Sequence, residues 1–172
     1  PCFVAGTLIE TPAGPRAIEA LQPGDLVLTA DGKQVQVRLN LSSTVGPATQ
    51  AAHPELRPIR IAKGALGAGL PLQDLLVSPQ HRVLVRSRIA QRMFGTDEVL
   101  VAAKQLVLID GIDIAQDLGS FAYHHLVFDQ HEIVLSNVAA SESLYPCPEA
   151  MRNLGLAAMP QNGFGQIAGA PI

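Results

Sequence analysis

The chain opens with Pro1-Cys2-Phe3-Val4-Ala5-Gly6-Thr7-Leu8-Ile9, in which a cysteine is followed by a small-residue turn and an apolar segment. This order predicts a short strand over residues 7–11, closed by a turn at residues 12–14. The thiol of Cys2 lies beside the Pro1–Cys2 peptide bond and can attack the carbonyl before it, which turns the amide into a thioester. The alternative is an inert cysteine, because free cysteines often pack as small apolar side chains.

The composition is that of a single domain with an aliphatic core. The 172 residues are 48% hydrophobic, but only 4% are aromatic and tryptophan is absent. The core must therefore be built from Val, Leu, Ile and Ala, in a chain long enough to bury one. The net charge is −3 and no basic stripe indicates a nucleic-acid partner. No apolar segment reaches transmembrane length, which argues against a membrane span.

Short apolar or alternating segments, separated by turn residues, predict an all-β fold. Residues 26–29 and 35–39 flank Asp31-Gly32, a strong hairpin signal, and Asp110-Gly111 is a second one. The other predicted strands lie at 57–61, 75–77, 83–85, 99–101, 106–107 and on both sides of a turn at Asp129-Gln130. Residues 99–118 loosely resemble residues 18–33, which hints at two related halves.

Ser78-Pro79-Gln80-His81 is a polar turn between two apolar segments. Pro79 restricts Ser78 to an extended conformation, so the hydroxyl of Ser78 and the imidazole of His81 can face one side and bind one target. The alternative is an ordinary hairpin in which Ser78 caps the turn. Further along, His124 and His125 are neighbours in a predicted strand and point to opposite faces, so at most one of them faces a given site.

Four motifs in this order resemble the Hint family of hedgehog autoprocessing domains, inteins and bacterial intein-like domains. They are Cys-Phe-x-x-Gly-Thr-x-Ile at 2–9, Glu-x-Leu-x-x-Gly-Asp at 19–25, Ser-Pro-Gln-His-Arg at 78–82 and the histidine-rich strands at 123–135. The Pro-Cys-Phe opening is most similar to the bacterial intein-like subgroup. The resemblance covers about residues 1–146 and implies a compact, all-β, pseudo-twofold horseshoe that cleaves its own backbone. Residues 147–172 are expected to form a C-terminal tail, with a short helix at 149–154.

The resemblance also implies a role for the matching residues. Cys2 matches the nucleophile of the family, which makes Pro1–Cys2 the scissile bond. Ser78 stands where the family has threonine, and His81 matches the histidine of the same motif. His125 takes the place of an aspartate that helps to activate the cysteine in many inteins, and a histidine can do this as a base.

The C-terminal half of splicing is predicted to be impaired. His131 matches a later histidine of the family, and counting forward from it places Ser141, Glu142 and Ser143 where inteins have His, Asn and a Cys, Ser or Thr. Cyclisation of Asn needs a side-chain amide nitrogen, which Glu142 lacks, so cleavage at the N-terminal junction is favoured over splicing. Ser143 keeps an acyl acceptor at this junction, and Asn137-Val138 is predicted to be a turn.

The predicted substrate is the flanking polypeptide of the chain itself, with water or another nucleophile as acyl acceptor and without a cofactor or metal. The resemblance implies a place in a larger bacterial protein and is compatible with secretion. One alternative is a catalytically silent Hint-fold domain with a structural role. Another is a metal-binding module built from His81, His125 and His131, although their spacing is uneven and no CxxC accompanies them. A Cys2–Cys147 disulfide that masks the nucleophile is a further hypothesis.

Overall fold

The computed structural model describes residues 2–86, 91–92 and 95–143. Its strands are β1 (Phe3–Val4), β2 (Leu8–Thr11), β3 (Gly14–Ala17), β4 (Leu26–Leu28), β5 (Gln34–Gln36), β6 (Leu39–Val45), β7 (Ile59–Ile61), β8 (Leu75–Val77), β9 (Arg82–Arg86), β10 (Glu98–Ala102), β11 (Ile112–Ile114), β12 (Phe121–Val127), β13 (Ile133–Ser136) and β14 (Ala139–Glu142). The short helix α1 (Pro47–Ala52) and 3-10 helices at Ile18–Ala20, Pro54–Leu56 and Ala103–Leu106 connect them. The fold is therefore all-β, as the sequence predicts.

Two six-stranded sheets and one hairpin make up this architecture. The first sheet has the order β11-β7-β8-β1-β12-β6, the second has the order β10-β9-β14-β13-β2-β3, and β4 pairs with β5. Neighbouring strands are antiparallel. The main core joins aliphatic side chains of both sheets, such as Ile59 and Val77 from the first and Val83 and Val134 from the second. In the described part of the chain, no helix is long and apolar enough to cross a membrane.

The two Asp-Gly signals have different outcomes. The hairpin at Asp31-Gly32 is confirmed, with Val27 opposite Val35. The hairpin at Asp110-Gly111 is wrong, because β11 pairs with β7, and the strand predicted at 106–107 is wrong too, because Leu106 ends a 3-10 helix and Val107 caps it. Burial explains this choice of partner, since Ile112 and its neighbour Ile61 both enter the main core. The turn predicted at 129–130 does lie between two strands, β12 and β13, but these strands belong to different sheets.

Four predictions fall on residues outside the described ranges. They are Pro1 as one side of the scissile bond, the boundary of the tail at residue 147, its helix at 149–154 and the thiol of Cys147. The boundary and the helix stay predictions. Cys2 itself is a free thiol in the structure.

The turn at Asn137-Val138 is confirmed, and it leads to a prediction about stability. Both residues have positive φ, 46° for Asn137 and 71° for Val138. A β-branched residue is disfavoured there by about 1–2 kcal/mol, whereas glycine adopts this conformation freely. We expect Val138→Gly to stabilise the domain by about 1 kcal/mol and to raise Tm by ~2–4 °C, measured by thermal unfolding.

The neighbouring position supplies the control for this prediction. The side chain of Asn137 accepts a hydrogen bond from the backbone N–H of Leu8 at 2.8 Å and donates one to the carbonyl of Asp74 at 3.0 Å. Asn137→Gly removes both bonds and is expected to lower Tm. A Val138→Gly protein that melts below the parent would contradict the assignment of strain to Val138.

Candidate functional site

Cys2 lies at the N-terminal end of β1, in the middle of the first sheet. Phe3 pairs with Val77 of β8 on one side and with His124 of β12 on the other. One residue earlier, the backbone N–H of Ser78 donates to the carbonyl of Cys2 at 3.0 Å. Because neighbours in a strand point to opposite faces, this register places Cys2 beside His125 and away from His124.

The thiol of Cys2 contacts His125 directly. Cys2 Sγ lies 2.8 Å from Nε2 and 3.4 Å from Nδ1 of the His125 ring. Apolar neighbours, among them Val4 and Tyr123, bury the thiol, and this burial raises the pKa of Cys2 above its usual value. The thiol therefore keeps its proton at neutral pH, and its nearest acceptor is an imidazole nitrogen.

Ser78 binds the backbone of the same cysteine. The N–H of Cys2 donates a hydrogen bond to Ser78 Oγ at 2.9 Å. Together with the bond from Ser78 N–H to the carbonyl of Cys2, this contact holds both polar groups of the Cys2 backbone. The hydroxyl of Ser78 thus faces the backbone nitrogen of Cys2.

His81 is fully buried and its ring packs edge-on against Phe3, with ring centroids 4.4 Å apart. Burial lowers the pKa of His81 to about 3, so the ring is neutral at physiological pH and carries one N–H and one acceptor nitrogen. Neither ring nitrogen has a hydrogen-bond partner within the described residues. Burying a polar atom without a hydrogen bond costs about 1–3 kcal/mol. His81 is therefore a candidate for binding a further polar group.

The neutral state of His81 leads to a prediction about pH. In the unfolded chain a histidine titrates near 6.5, so between about pH 6.5 and pH 3 the unfolded state binds a proton that the folded state does not. Stability must then fall as the pH drops through this window. We expect His81 to account for about 2 kcal/mol of lost stability between pH 7 and pH 5.

Urea unfolding of His81→Gln and of the parent at both pH values measures this contribution. The difference between the two pH values should shrink in His81→Gln. His53→Gln, at an exposed histidine, is the matched control and should keep the loss of the parent. An unchanged pH dependence in His81→Gln would show that the ring is protonated in the folded state.

His131 and Glu142 form a second group of polar side chains together with Arg82. Burial alone would raise the pKa of Glu142, but hydrogen bonds from His131 and Arg82 lower it to about 2. The carboxylate is therefore ionised and accepts a bond from His131 Nε2 at 3.0 Å and from Arg82 Nε at 2.9 Å. The structure brings His131 and Glu142 into contact, and sequence reasoning missed Arg82, although Arg82 directly follows His81 in the quoted motif.

Ser143 is tied to the neighbouring strand at the same junction. Its N–H donates to the carbonyl of Glu132 at 2.8 Å, and its Oγ accepts from the N–H of Glu132 at 2.9 Å. Ser141, which the alignment places at the intein histidine, bonds Ser136 Oγ at 2.9 Å instead. Residues 141–143, the candidate C-terminal junction, are thus bonded to residues of β13 and to Glu132 just before it.

The three histidines of the metal hypothesis have three different environments. His125 contacts the thiol of Cys2, His131 contacts Glu142, and His81 packs on Phe3. Among the described residues, no group of three or more His, Cys, Asp or Glu side chains is arranged to hold a metal ion. No observation on these histidines favours a metal site.

Comparisons with known proteins give the class of this domain. A family model of the Hint domain matches residues 1–148, and the chain belongs to this family of autoprocessing domains. A comparison with curated proteins found no match.

Solved structures of inteins share the fold. A variant of the MchDnaB-1 intein matches with a TM-score of 0.50 and 12% identity, over 83% of this chain and 99% of the intein. A bacterial intein-like domain from Clostridium thermocellum matches with a TM-score of 0.50 and 15% identity, over 83% and 98%. A splice-inactive variant of the AceL NrdHF class 3 split intein matches with a TM-score of 0.50 and 15% identity, over 85% and 99%. At these identities the similarity concerns the fold alone.

Proposed function

We propose that this domain cleaves its own backbone at the Pro1–Cys2 bond through an N–S acyl shift at Cys2. The observation that carries the proposal is the pair of contacts at Cys2, with the thiol 2.8 Å from His125 Nε2 and the N–H 2.9 Å from Ser78 Oγ. The first contact places a base at the nucleophile. The second holds the nitrogen that must leave.

The shift begins with transfer of the thiol proton to His125, since burial raises the pKa of Cys2 and a preformed thiolate is disfavoured. Sγ then attacks the carbonyl carbon of Pro1, and the bond from that carbon to the nitrogen of Cys2 breaks. In total one proton moves from sulfur to nitrogen. The products are a thioester of Pro1 on Cys2 and a free amine at Cys2.

His81 supplies the proton to the leaving nitrogen in this proposal. An amine leaves only when protonated, and general acid catalysis of such a step is worth roughly 10²–10⁴-fold. A neutral imidazole donates its N–H and can accept a proton at its other nitrogen in return, so a pKa of about 3 does not prevent this role. The unpartnered ring nitrogens support it, because one of them is left to bond the scissile peptide unit.

Water, or another nucleophile, then attacks the thioester and releases the upstream polypeptide. With water the product is a carboxylic acid and the thiol of Cys2 is restored. The test joins a reporter protein before Pro1 and follows its release over time, with and without hydroxylamine, which cleaves thioesters. Slow release that hydroxylamine accelerates supports the proposal, and an intact fusion under both conditions supports the silent structural domain instead.

The proposal also holds that splicing is impaired because Glu142 cannot cyclise. Glu142→Asn places a side-chain amide at this position, next to His131, and cyclisation would then break the peptide bond before Ser143. We expect cleavage after residue 142, detected by mass spectrometry, to appear in Glu142→Asn. Glu142→Gln is the matched control, because its longer amide closes a less favourable ring. An intact bond in Glu142→Asn would contradict the alignment of Glu142 with the intein asparagine.

A further inference from the structure

Glu142, which stands at the position of the intein asparagine, makes several polar contacts with Arg82. Its side chain is 6% exposed and its Oε2 lies 2.8 Å from the terminal guanidinium nitrogen of Arg82, besides the bond from Arg82 Nε. Its other oxygen, Oε1, accepts the backbone N–H of Arg82 at 3.2 Å. One carboxylate thus binds the side chain and the main chain of the residue that follows His81.

Both polar groups of the peptide unit between His81 and Arg82 make hydrogen bonds. Its carbonyl, on His81, accepts the N–H of Ala103 at 2.9 Å. Its N–H, on Arg82, donates to Glu142. The preceding N–H, on His81, donates to the carbonyl of Ser78 at 3.0 Å. With these three bonds made, the backbone dihedrals of His81 have little freedom, and the direction of its side chain follows from them.

Among the described residues, no polar group bonds the ring of His81. Its nitrogens have no partner within the described ranges, and its ring contact is with the apolar ring of Phe3. A side chain without hydrogen bonds of its own depends on its backbone and on packing for its position. Errors of about 1 Å in the placement of a reacting group can lower a rate on the order of 100-fold.

We propose that Glu142 is a positioning residue for His81, and that through Arg82 it couples the last described strand to cleavage at the first peptide bond. The inference rests on the proposed function, since it assigns to Glu142 a part in the same reaction. It also explains why the charged Glu142 stands at a position where cyclisation would require a side-chain amide. The ion pair with Arg82 and the bond from His131 keep the carboxylate buried and oriented.

The first test is a double-mutant cycle on the full chain with the upstream reporter. We expect Glu142→Gln to slow release by roughly 10–100-fold in the parent, but by less than about twofold when His81 is already alanine. Arg82→Lys, which keeps the charge and loses the fork of donors, should show the same pattern. An equal loss in both backgrounds, or no loss in the parent, would overturn the inference.

A neighbouring carboxylate gives the matched control. Glu132 is also largely buried and lies beside His131 in the chain, but it pairs with Lys33 at 3.7 Å. We expect Glu132→Gln to leave the release rate unchanged. A loss as large as that of Glu142→Gln would mean that any buried charge at this end of the domain affects cleavage, and the specific link to His81 would be wrong.

A second measurement separates this inference from the proposed function. In Cys2→Ala protein, which cannot react, the ring signals of His81 in NMR spectra report its position without any cleavage. We expect Glu142→Gln to move these signals and Glu132→Gln to leave them in place. Unmoved signals in Glu142→Gln overturn the positioning role even if the parent cleaves. A parent fusion that never cleaves overturns the proposed function, while the spectra still decide the inference.

Discussion

Cys2→Ala is expected to abolish release of a reporter joined before Pro1. The acyl shift forms its new bond at Sγ, so removal of the sulfur removes the reaction and does not merely slow it. Cys2 is small and buried, which lets alanine fill most of the site, and unfolding should show a stable fold. Gel electrophoresis of the fusion over several days, with hydroxylamine in parallel, measures the loss.

Two further variants sharpen this experiment. Cys2→Ser keeps a nucleophilic atom beside His125, but a hydroxyl is a weaker nucleophile than a thiol, so slow residual release is expected. Cys147→Ser serves as the control for loss of a thiol in general and should release the reporter at the rate of the parent. If it matches the parent only with reductant and releases the reporter faster than the parent without reductant, the Cys2–Cys147 disulfide gains support. Cleavage of the Cys2→Ala fusion at the rate of the parent would show that the nucleophile lies elsewhere.

His81→Ala is expected to lower the rate by roughly 10²–10⁴-fold, and Ser78→Ala by about tenfold. The difference has a physical reason. Protonation of the leaving nitrogen addresses the hardest step, whereas Ser78 contributes one hydrogen bond to Cys2 N–H, whose loss is worth about 1 kcal/mol. First-order rates of release from the three fusions, measured at one pH and temperature, give the comparison.

A control is needed because His81→Ala also leaves a cavity in the core. His81→Gln keeps most of the volume and a hydrogen-bond donor, but it cannot exchange protons as an imidazole does. It should therefore be more stable than His81→Ala and nearly as slow. Small and equal losses for His81→Ala and Ser78→Ala would contradict the site. Recovery of the full rate in His81→Gln would reduce the role of His81 to packing.

The sequence alone predicted the fold class and the family, and it singled out the residues in one local part of the candidate site. Cys2 stands at the start of β1, and Ser78 and His81 belong to one turn of four residues, so the distance between them depends on local geometry that a motif can encode. The two Asp-Gly signals do not determine which strands pair. Asp31-Gly32 closes a hairpin, but Asp110-Gly111 does not, because a turn signal contains no information on which distant strand will pair.

The sequence missed several elements for similar reasons. Residues 42–45 continue strand β6, which pairs along its whole length with β12, although their own composition is typical of a loop. Helix α1 is only six residues long, too short for periodicity to reveal it. Strand β14 was not predicted, because its formation depends on pairing with β9 and β13 on either side.

The resemblance points to His125, but only the tertiary structure shows its contact with the thiol and the residue that holds Glu142. Alternation along β12 shows that His124 and His125 face opposite sides, but the register of β1 against β12 selects His125 for Cys2. The contact of Arg82 with Glu142 joins residues 60 positions apart. Such pairings are set by the burial of apolar side chains across two sheets, a property of the whole chain that no local pattern contains.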